Sequence, residues 1–176
     1  QPLLHFYALL EPEQTEDYLS LFEWQASTRQ PIYVETLYNL ALSYYLTYGV
    51  EGYAGAIRYT DRLMSHIKSS PNLAVDSDRQ DELKNLAACI QIKSYVRAHL
   101  SHWGTYNFGR VSSDDKGLTF EETGTMLKDI EEGHFRDMAT IESTLRLTHH
   151  KSTDVRAAAH ETLGLWYAYK NHYIGQ

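Results

Sequence analysis

One stretch, residues 34–68, constrains the fold more than any other, because it has the pattern of two amphipathic helices joined by a turn. The turn is predicted at Tyr48-Gly49-Val50-Glu51-Gly52. Apolar residues on either side recur at the i, i+3, i+4 spacing that places them on one helical face. They are Leu37, Leu40, Ala41 and Tyr44 before the turn, and Tyr53, Ala56, Ile57, Tyr59, Leu63, Met64 and Ile67 after it. We therefore expect a helical hairpin against which the other helices pack.

The rest of the chain carries helical patterns separated by helix breakers. We predict a helix over residues 15–27, a long helix from residue 77 or 78 to 102, and a loop over 104–117. A further helix is predicted from residue 119 to its terminus at His149-His150-Lys151, with a kink or break at Gly133. The last helix is predicted to be capped by Ser152 or Thr153. No long alternating run of β-branched residues indicates a sheet. The sequence therefore predicts an all-α fold, an irregular α-solenoid or a bundle of six to seven helices.

The length of 176 residues predicts one all-helical domain spanning residues 1–176. Because the chain begins at Gln1 rather than Met, a processed product or a fragment of a larger protein is expected. The single Cys89 lies in an apolar helical run and is predicted to be a buried core residue. One cysteine favours a reducing compartment such as the cytoplasm, although a secreted protein without disulfides fits as well.

Charge and hydropathy exclude some classes of function. The net charge is −7, the pI is about 5.7, and basic residues stand singly among acids. Nucleic-acid binders usually present a basic face, so nucleic acid is not expected as a partner. No run approaches the roughly 18 apolar residues of a membrane span, and none is predicted.

The hairpin resembles a tetratricopeptide repeat, a helix–turn–helix unit that stacks on its neighbours. The residues that match the pattern of the repeat are Leu37, Leu40, Ala41 and Tyr44 in the first helix and Ala56, Ile57, Tyr59 and Leu63 in the second. Pro71 lies near the usual terminating proline, but it comes late, the turn is about three residues too long, and Leu63 replaces the usual alanine. The resemblance covers about 35 residues.

This resemblance implies binding of a peptide or partner helix in a groove lined by the first helices of the repeats. The groove-facing residues would be Glu35, Tyr38, Leu42 and Tyr45. An aromatic and apolar groove suits an apolar peptide or an amphipathic helix. The alternative interpretation is that Tyr38, Leu42 and Tyr45 pack against the helix predicted around residues 18–22.

The sequence thus favours a non-enzymatic interaction module that binds a protein, a peptide or a second copy of itself, without a cofactor, metal or catalytic residue. The 14 tyrosines and three tryptophans suit an interface, although they also fill bundle interiors. A helical-bundle enzyme or metal protein with a dispersed His/Glu/Asp site is the alternative. A small-molecule or glycan binder that uses surface aromatic residues is a third, minor interpretation.

Glu131 and His134 carry the one metal-like spacing, since a Glu-x-x-His pair shares a helical face in di-iron bundles. Such sites need a second pair, which the sequence lacks, and Glu142 and Glu161 match only loosely. Clustering of His99, His102 and His160 across a bundle is a further hypothesis. We expect the histidines to be surface groups or helix-end cations.

Overall fold

The computed structural model describes residues 16–17, 19–20, 28–47, 49–70, 72–108 and 138–173, with backbone alone at 50, 99–108, 138–139 and 169–173. The described elements are helices α1 Pro31–Leu46, α2 Gly49–Ser69, α3 Ser77–Phe108, α4 Met138–Leu147 and α5 Thr153–Tyr173. Residues 16–17 and 19–20 are helical as well, and no strand occurs in the described ranges. The predicted all-α class is confirmed. Within these ranges, no helix is both long and apolar enough to cross a membrane.

Helix α1 is the most enclosed element. Pro31 begins it, at a position where the missing N–H is not needed for a helical hydrogen bond. Its buried residues lie around most of its circumference; they are Tyr33, Val34, Thr36, Leu37, Asn39, Leu40, Ala41, Ser43 and Tyr45. A helix buried on several sides needs neighbours on several sides, and α2 and α3 are two of them.

The connection between α1 and α2 is shorter than the sequence predicts. Helix α2 already begins at Gly49, whose φ of 89° lies in the left-handed region that favours glycine. The predicted turn over residues 48–52 is therefore wrong at its C-terminal end. Gly52 lies inside α2, where an added β-carbon would be only 2.6 Å from the carbonyl oxygen of Tyr44. This glycine permits a close helix crossing and does not form a turn.

Two apolar clusters form the core. The first cluster comprises Leu19, Tyr33, Val34, Leu37, Leu40, Ala41, Tyr59, Leu63, Leu83 and Ala87. The second cluster comprises Tyr45, Tyr53, Ala54, Ala56, Ile57, Ile90, Ile92, Val96, Ala98, Ile141, Leu163 and Trp166. Both clusters draw on α1, α2 and α3, so these helices form one continuous unit, onto which α4 and α5 pack through the second cluster.

Contacts between the ends of the helices give their directions. Tyr33 near the start of α1 contacts His66 near the end of α2, whereas Tyr45 contacts Tyr53, so these two helices are antiparallel. By contrast, Glu35 contacts Arg79 in the first turn of α3, and Tyr45 contacts Arg97 further along it. Helices α1 and α3 therefore run in the same direction.

Helix α5 has this direction too. Ser152, which immediately precedes α5, contacts Glu82, and Glu161 in the middle of α5 contacts Lys93. The predicted cap is confirmed, because the Ser152 hydroxyl accepts a hydrogen bond from the Val155 amide at 3.4 Å. Helices α1, α3 and α5 are thus mutually parallel.

Two other predicted boundaries change. Helix α3 starts at Ser77 as predicted but continues past Gly104 to Phe108, so the prediction of a loop from residue 104 is wrong. A single glycine costs a helix only about 1 kcal/mol, which a long packed helix tolerates. Helix α4 ends at Leu147, ahead of the predicted histidine-containing terminus. Residues 1–15 and 109–137, which include Gly133, lie outside the described residues.

Candidate functional site: the face shared by α1 and α3

The four predicted groove residues follow one side of α1, and the structure places this side toward α3. We define the α1–α3 face as Glu35, Tyr38, Leu42 and Tyr45 of α1 together with Arg79, Glu82, Lys93 and Arg97 of α3. A polar group lies at each end of this face. Between the two polar groups, Tyr38 and Leu42 are half-buried.

The acidic end is organised by Arg79, which bridges two carboxylates. Its Nε and Nη2 donate to the two oxygens of Glu35 at 2.7 and 2.8 Å, and its Nη1 donates to Glu82 at 2.6 Å. A guanidinium bound through two parallel N–H groups is held in both position and orientation. Arg79 therefore fixes the start of α1 against the start of α3.

Glu82 extends this acidic end to α5. Its other carboxylate oxygen accepts a hydrogen bond from the Ser152 hydroxyl at 2.5 Å. The hydrogen bond from Ser152, followed by that from Arg79, lowers the pKa of Glu82 below its ordinary value, because both favour the ionised carboxylate. The acidic end thus joins α1, α3 and the N-terminus of α5 through the consecutive contacts Glu35–Arg79, Arg79–Glu82 and Glu82–Ser152.

The α4–α5 connection is fixed by His150, which was expected to be a surface group or a helix-end cation. Its side chain is only 13% exposed, so this residue is not a fully exposed surface group. Its Nδ1 accepts a hydrogen bond from the Ser152 amide at 3.0 Å, so its Nε2 carries the proton and donates to Asp81 at 2.8 Å. This bond lowers the pKa of Asp81. Lys151 pairs with Asp78 beside it.

The basic end is organised around Tyr45. The phenol oxygen of this buried residue accepts a hydrogen bond from Nε of Arg97 at 2.7 Å. Nζ of Lys93 lies 4.9 Å from the centroid of the same ring, and the Arg97 guanidinium lies 5.7 Å from it. Two cations therefore share one aromatic ring, a geometry that the negative face of the ring favours.

Lys93 is an unusual residue for a core, since its side chain is only 7% exposed. Its ammonium group donates to Glu161 of α5 at 2.8 Å, and the Glu161 side chain is 58% exposed. The lysine is therefore compensated on one side by a carboxylate and on another by the Tyr45 ring. The basic end, like the acidic end, connects α1, α3 and α5.

The middle of the face is aromatic and apolar. Tyr38 packs against both core clusters, and Leu42 packs against the second cluster. Burial is the main cause that raises the pKa of the Tyr38 phenol, so this side chain stays neutral and uncharged over the physiological pH range. The α1–α3 face is thus an apolar centre with an acidic and a basic end.

The described part of the chain contains no group of three His, Cys, Asp or Glu side chains that could hold a metal ion. The candidate metal ligands that the structure describes therefore do not form a metal site. His160 and Glu142 are exposed on α5 and α4, and Glu161 contacts Lys93. Glu131 and His134, and the side chains of His99 and His102, lie outside the described residues.

The sequence interpretation missed the roles of Arg79, Lys93 and Arg97, and the contacts of Ser152 and His150 with α3, since each of these contacts joins residues far apart along the chain. One local signal was present, because Lys93 interrupts the apolar run of α3 between Ile92 and Val96. A lysine at a core position indicates that a partner must reach it.

These features define an all-helical protein with a bipolar face across parallel helices. Comparison with models of known families, with curated proteins and with solved structures gave no match to this chain.

Proposed function

We propose that this protein is a non-enzymatic interaction module that binds an apolar segment of a protein partner on the α1–α3 face. The observation that carries the proposal is the position of Tyr38 and Leu42, half-buried between two polar groups whose side chains are held by hydrogen bonds. A partner side chain that covers these two residues removes apolar surface from water without breaking the flanking hydrogen bonds. Tyrosine is also enriched among the residues that dominate binding energy.

We further propose that α1, α2 and α3 pack in a tetratricopeptide-like way within an irregular solenoid. The antiparallel α1–α2 pair followed by a parallel α3 supports this, because stacked helical hairpins place their first helices side by side. In such stacks the first helices line the binding groove, and α1 and α3 would be those helices here. The six to seven helices expected for the whole chain belong to the same proposal.

The chemistry of the face favours a short peptide or one face of an amphipathic helix as the bound segment. The half-buried side chains of Tyr38 and Leu42 offer a small apolar contact area. Such an area suits a bound segment with one or two apolar anchor residues flanked by polar residues. A second copy of this chain is an alternative source of such a segment. Light scattering over a range of concentrations distinguishes it, because self-association raises the apparent mass.

The experiment that tests the proposal is selection of a displayed library of random peptides on the purified protein. Peptides that survive are then measured by fluorescence anisotropy against Leu42→Glu, which places a charge in the apolar centre. The matched control is Leu145→Glu, which changes a leucine that is 43% exposed on α4, away from the α1–α3 face. We expect Leu42→Glu to weaken binding by at least about tenfold, which is 1.4 kcal/mol, and Leu145→Glu to have little effect.

Circular dichroism establishes that both variants remain folded. If Leu42→Glu unfolds, Leu42→Ala replaces it, because it removes contact area without adding a charge. Failure to enrich any peptide, or equal affinity of the parent and the Leu42 variant for the enriched peptides, contradicts the proposal.

A further inference from the structure

The two ends of the α1–α3 face differ in how well their charges are balanced. At the acidic end, helix dipoles account for the excess of acids, since Asp78 and Asp154 lie in the first turns of α3 and α5. At the basic end, Lys93 and Arg97 lie in the interior of α3, far from the C-terminal turn where a cation is favoured. The basic pair therefore needs another explanation.

We infer that the basic end binds a carboxylate side chain of the partner segment. This inference rests on the proposed function and adds the chemistry and orientation of the ligand. The partner would place an apolar side chain on Tyr38 and Leu42 and an acidic side chain at Arg97.

The first support is the charge balance at Arg97. The groups that hold its guanidinium are the hydroxyls of Tyr45 and Tyr53, and neither is a carboxylate. Among the described side chains, no carboxylate forms an ion pair with Arg97, and Glu161 pairs with Lys93 alone. Counting the side chains that the structure describes, the basic end therefore has two cations and one carboxylate, which leaves one positive charge for an anionic ligand to match.

The second support is that Arg97 is only partly covered, whereas Lys93 is buried. An arginine whose Nε is anchored on Tyr45 has a fixed orientation, so its remaining N–H groups are pre-positioned for a carboxylate. Lys93 contributes its charge from a distance of 4.9 Å from the centroid of the same ring. This division of roles resembles a preorganised site, in which little ordering remains to be done when the ligand binds.

The net charge of −7 does not prevent such binding. Charges separated by more than the Debye length of about 8 Å at physiological salt are largely screened. Acids that lie farther than this from Arg97 therefore offset its charge only weakly. Rising salt should weaken the binding of an acidic peptide and should scarcely affect an uncharged one.

The spacing on α1 limits the sequence of the ligand. Leu42 and Tyr45 are three residues apart on α1, which is roughly 4.5 Å along the helix axis. An extended peptide advances roughly 3.3 Å per residue, so its acidic residue should lie about one or two positions from its apolar anchor. In a helical ligand the two should be three or four positions apart.

The test uses the peptides that the library selection enriches on the parent protein. Their affinities are compared with those of copies in which each acidic residue is replaced by the corresponding amide, asparagine or glutamine. We expect acidic residues at the spacing above, and about tenfold weaker binding of the amide copies. Arg97→Gln should remove that difference, whereas Arg58→Gln should keep it. Arg58 is a suitable control because it is exposed on α2, where it lies over Tyr59.

Arg97→Lys is the second variant, chosen because it keeps the charge if Arg97→Gln proves unstable. It should retain part of the preference for the acidic peptide. Two outcomes overturn this inference alone. In the first, the enriched peptides depend on Leu42 but lack acidic residues. In the second, Arg97→Gln prefers the acidic peptides over their amide copies as strongly as the parent does. Failure to enrich any peptide overturns the proposed function, and this inference with it.

Discussion

The ring of Tyr44 lies against the backbone of Gly55, so closely that a β-carbon at position 55 would be 2.6 Å from Cγ of Tyr44. The tyrosine is held in place from two sides. Its ring stacks on Tyr59 with centroids 5.6 Å apart, and its hydroxyl donates to Glu16 at 2.5 Å. The crossing of α1 and α2 therefore depends on the absence of a side chain at position 55.

This relationship predicts opposite effects of the same substitution at two helical glycines. Gly55→Ala should destabilise the protein by about 1–3 kcal/mol, because the added methyl group meets the fixed Tyr44 ring. Gly164→Ala in α5 should stabilise it by about 0.5–1 kcal/mol, since nothing beyond the neighbouring residues and backbone of α5 itself lies within 4 Å of the added group and alanine favours a helix. Urea unfolding of both variants measures the difference. Stabilisation by both substitutions would show that the crossing is looser than described.

The Lys93–Glu161 pair predicts that substituting the carboxylate costs more stability than substituting the lysine. Glu161→Gln should destabilise the fold by about 1–2 kcal/mol, because it leaves a buried ammonium without its carboxylate. Lys93→Met should change stability by less than about 0.5 kcal/mol, because the exposed Glu161 is then solvated by water and methionine fills the same space.

Chemical denaturation of the two single variants and the double variant tests this asymmetry. The double variant should resemble Lys93→Met, since the cost of Glu161→Gln arises from the lysine that is left behind. Equal costs for the two single variants would argue that the lysine is hydrated in solution.

The acidic end predicts how stability depends on pH. The pKa of Glu82 is lowered in the folded state, so its ionised form stabilises the fold. That contribution is complete above the ordinary pKa of glutamate, about 4.5, and is lost as the pH falls through the lowered folded value. Glu82→Gln should therefore be less stable than the parent by about 1 kcal/mol at neutral pH, and the two should converge in acid.

Melting temperatures measured from neutral to acidic pH check this expectation. Asp81 also has a lowered pKa, but it titrates in the parent and the variant alike and cancels in their difference. Glu142→Gln on the exposed side of α4 is the matched control and should follow the parent at every pH. A constant difference between parent and Glu82→Gln across the range would contradict the role given to this carboxylate.

Cys89 provides a probe of the native core. The residue is fully buried, and burial raises the pKa of its thiol, so both access and the thiolate population are low. A disulfide reagent at neutral pH should not react with the folded protein and should react promptly after unfolding in denaturant. Rapid reaction of the native protein would show that α3 separates from α5, since Thr162 of α5 lies beside this thiol.

The hairpin was readable from sequence because its information is local. The apolar positions Leu37, Leu40, Ala56 and Leu63 repeat at the helical period, and all four are fully buried. The prediction at Gly52 was wrong because the local sequence is the same whether a glycine forms a turn or permits the close approach of a neighbouring helix. The positions of Tyr44 and Thr47 against Gly52 in the structure distinguish these two cases.

The polar ends of the α1–α3 face could not be predicted in the same way. Nothing near Glu35 in the sequence specifies Arg79, which is 44 positions away, and nothing near Lys93 specifies Glu161. The four groove residues were predicted from the resemblance to a tetratricopeptide repeat. The structure places them in a row along α1, and the two end residues, Glu35 and Tyr45, contact α3. Whether that row binds a partner stays a prediction.

The hydrogen bond between Glu82 and Ser152 also has a consequence for the order of folding. It joins residues 70 positions apart, whereas the α1–α2 hairpin forms between neighbours along the chain. Closing a long loop costs entropy before any contact compensates for it, so contacts that are distant in sequence form late. We therefore expect the protein to assemble outward from its hairpin, with substitutions at Ser152 speeding unfolding while leaving the refolding rate nearly unchanged.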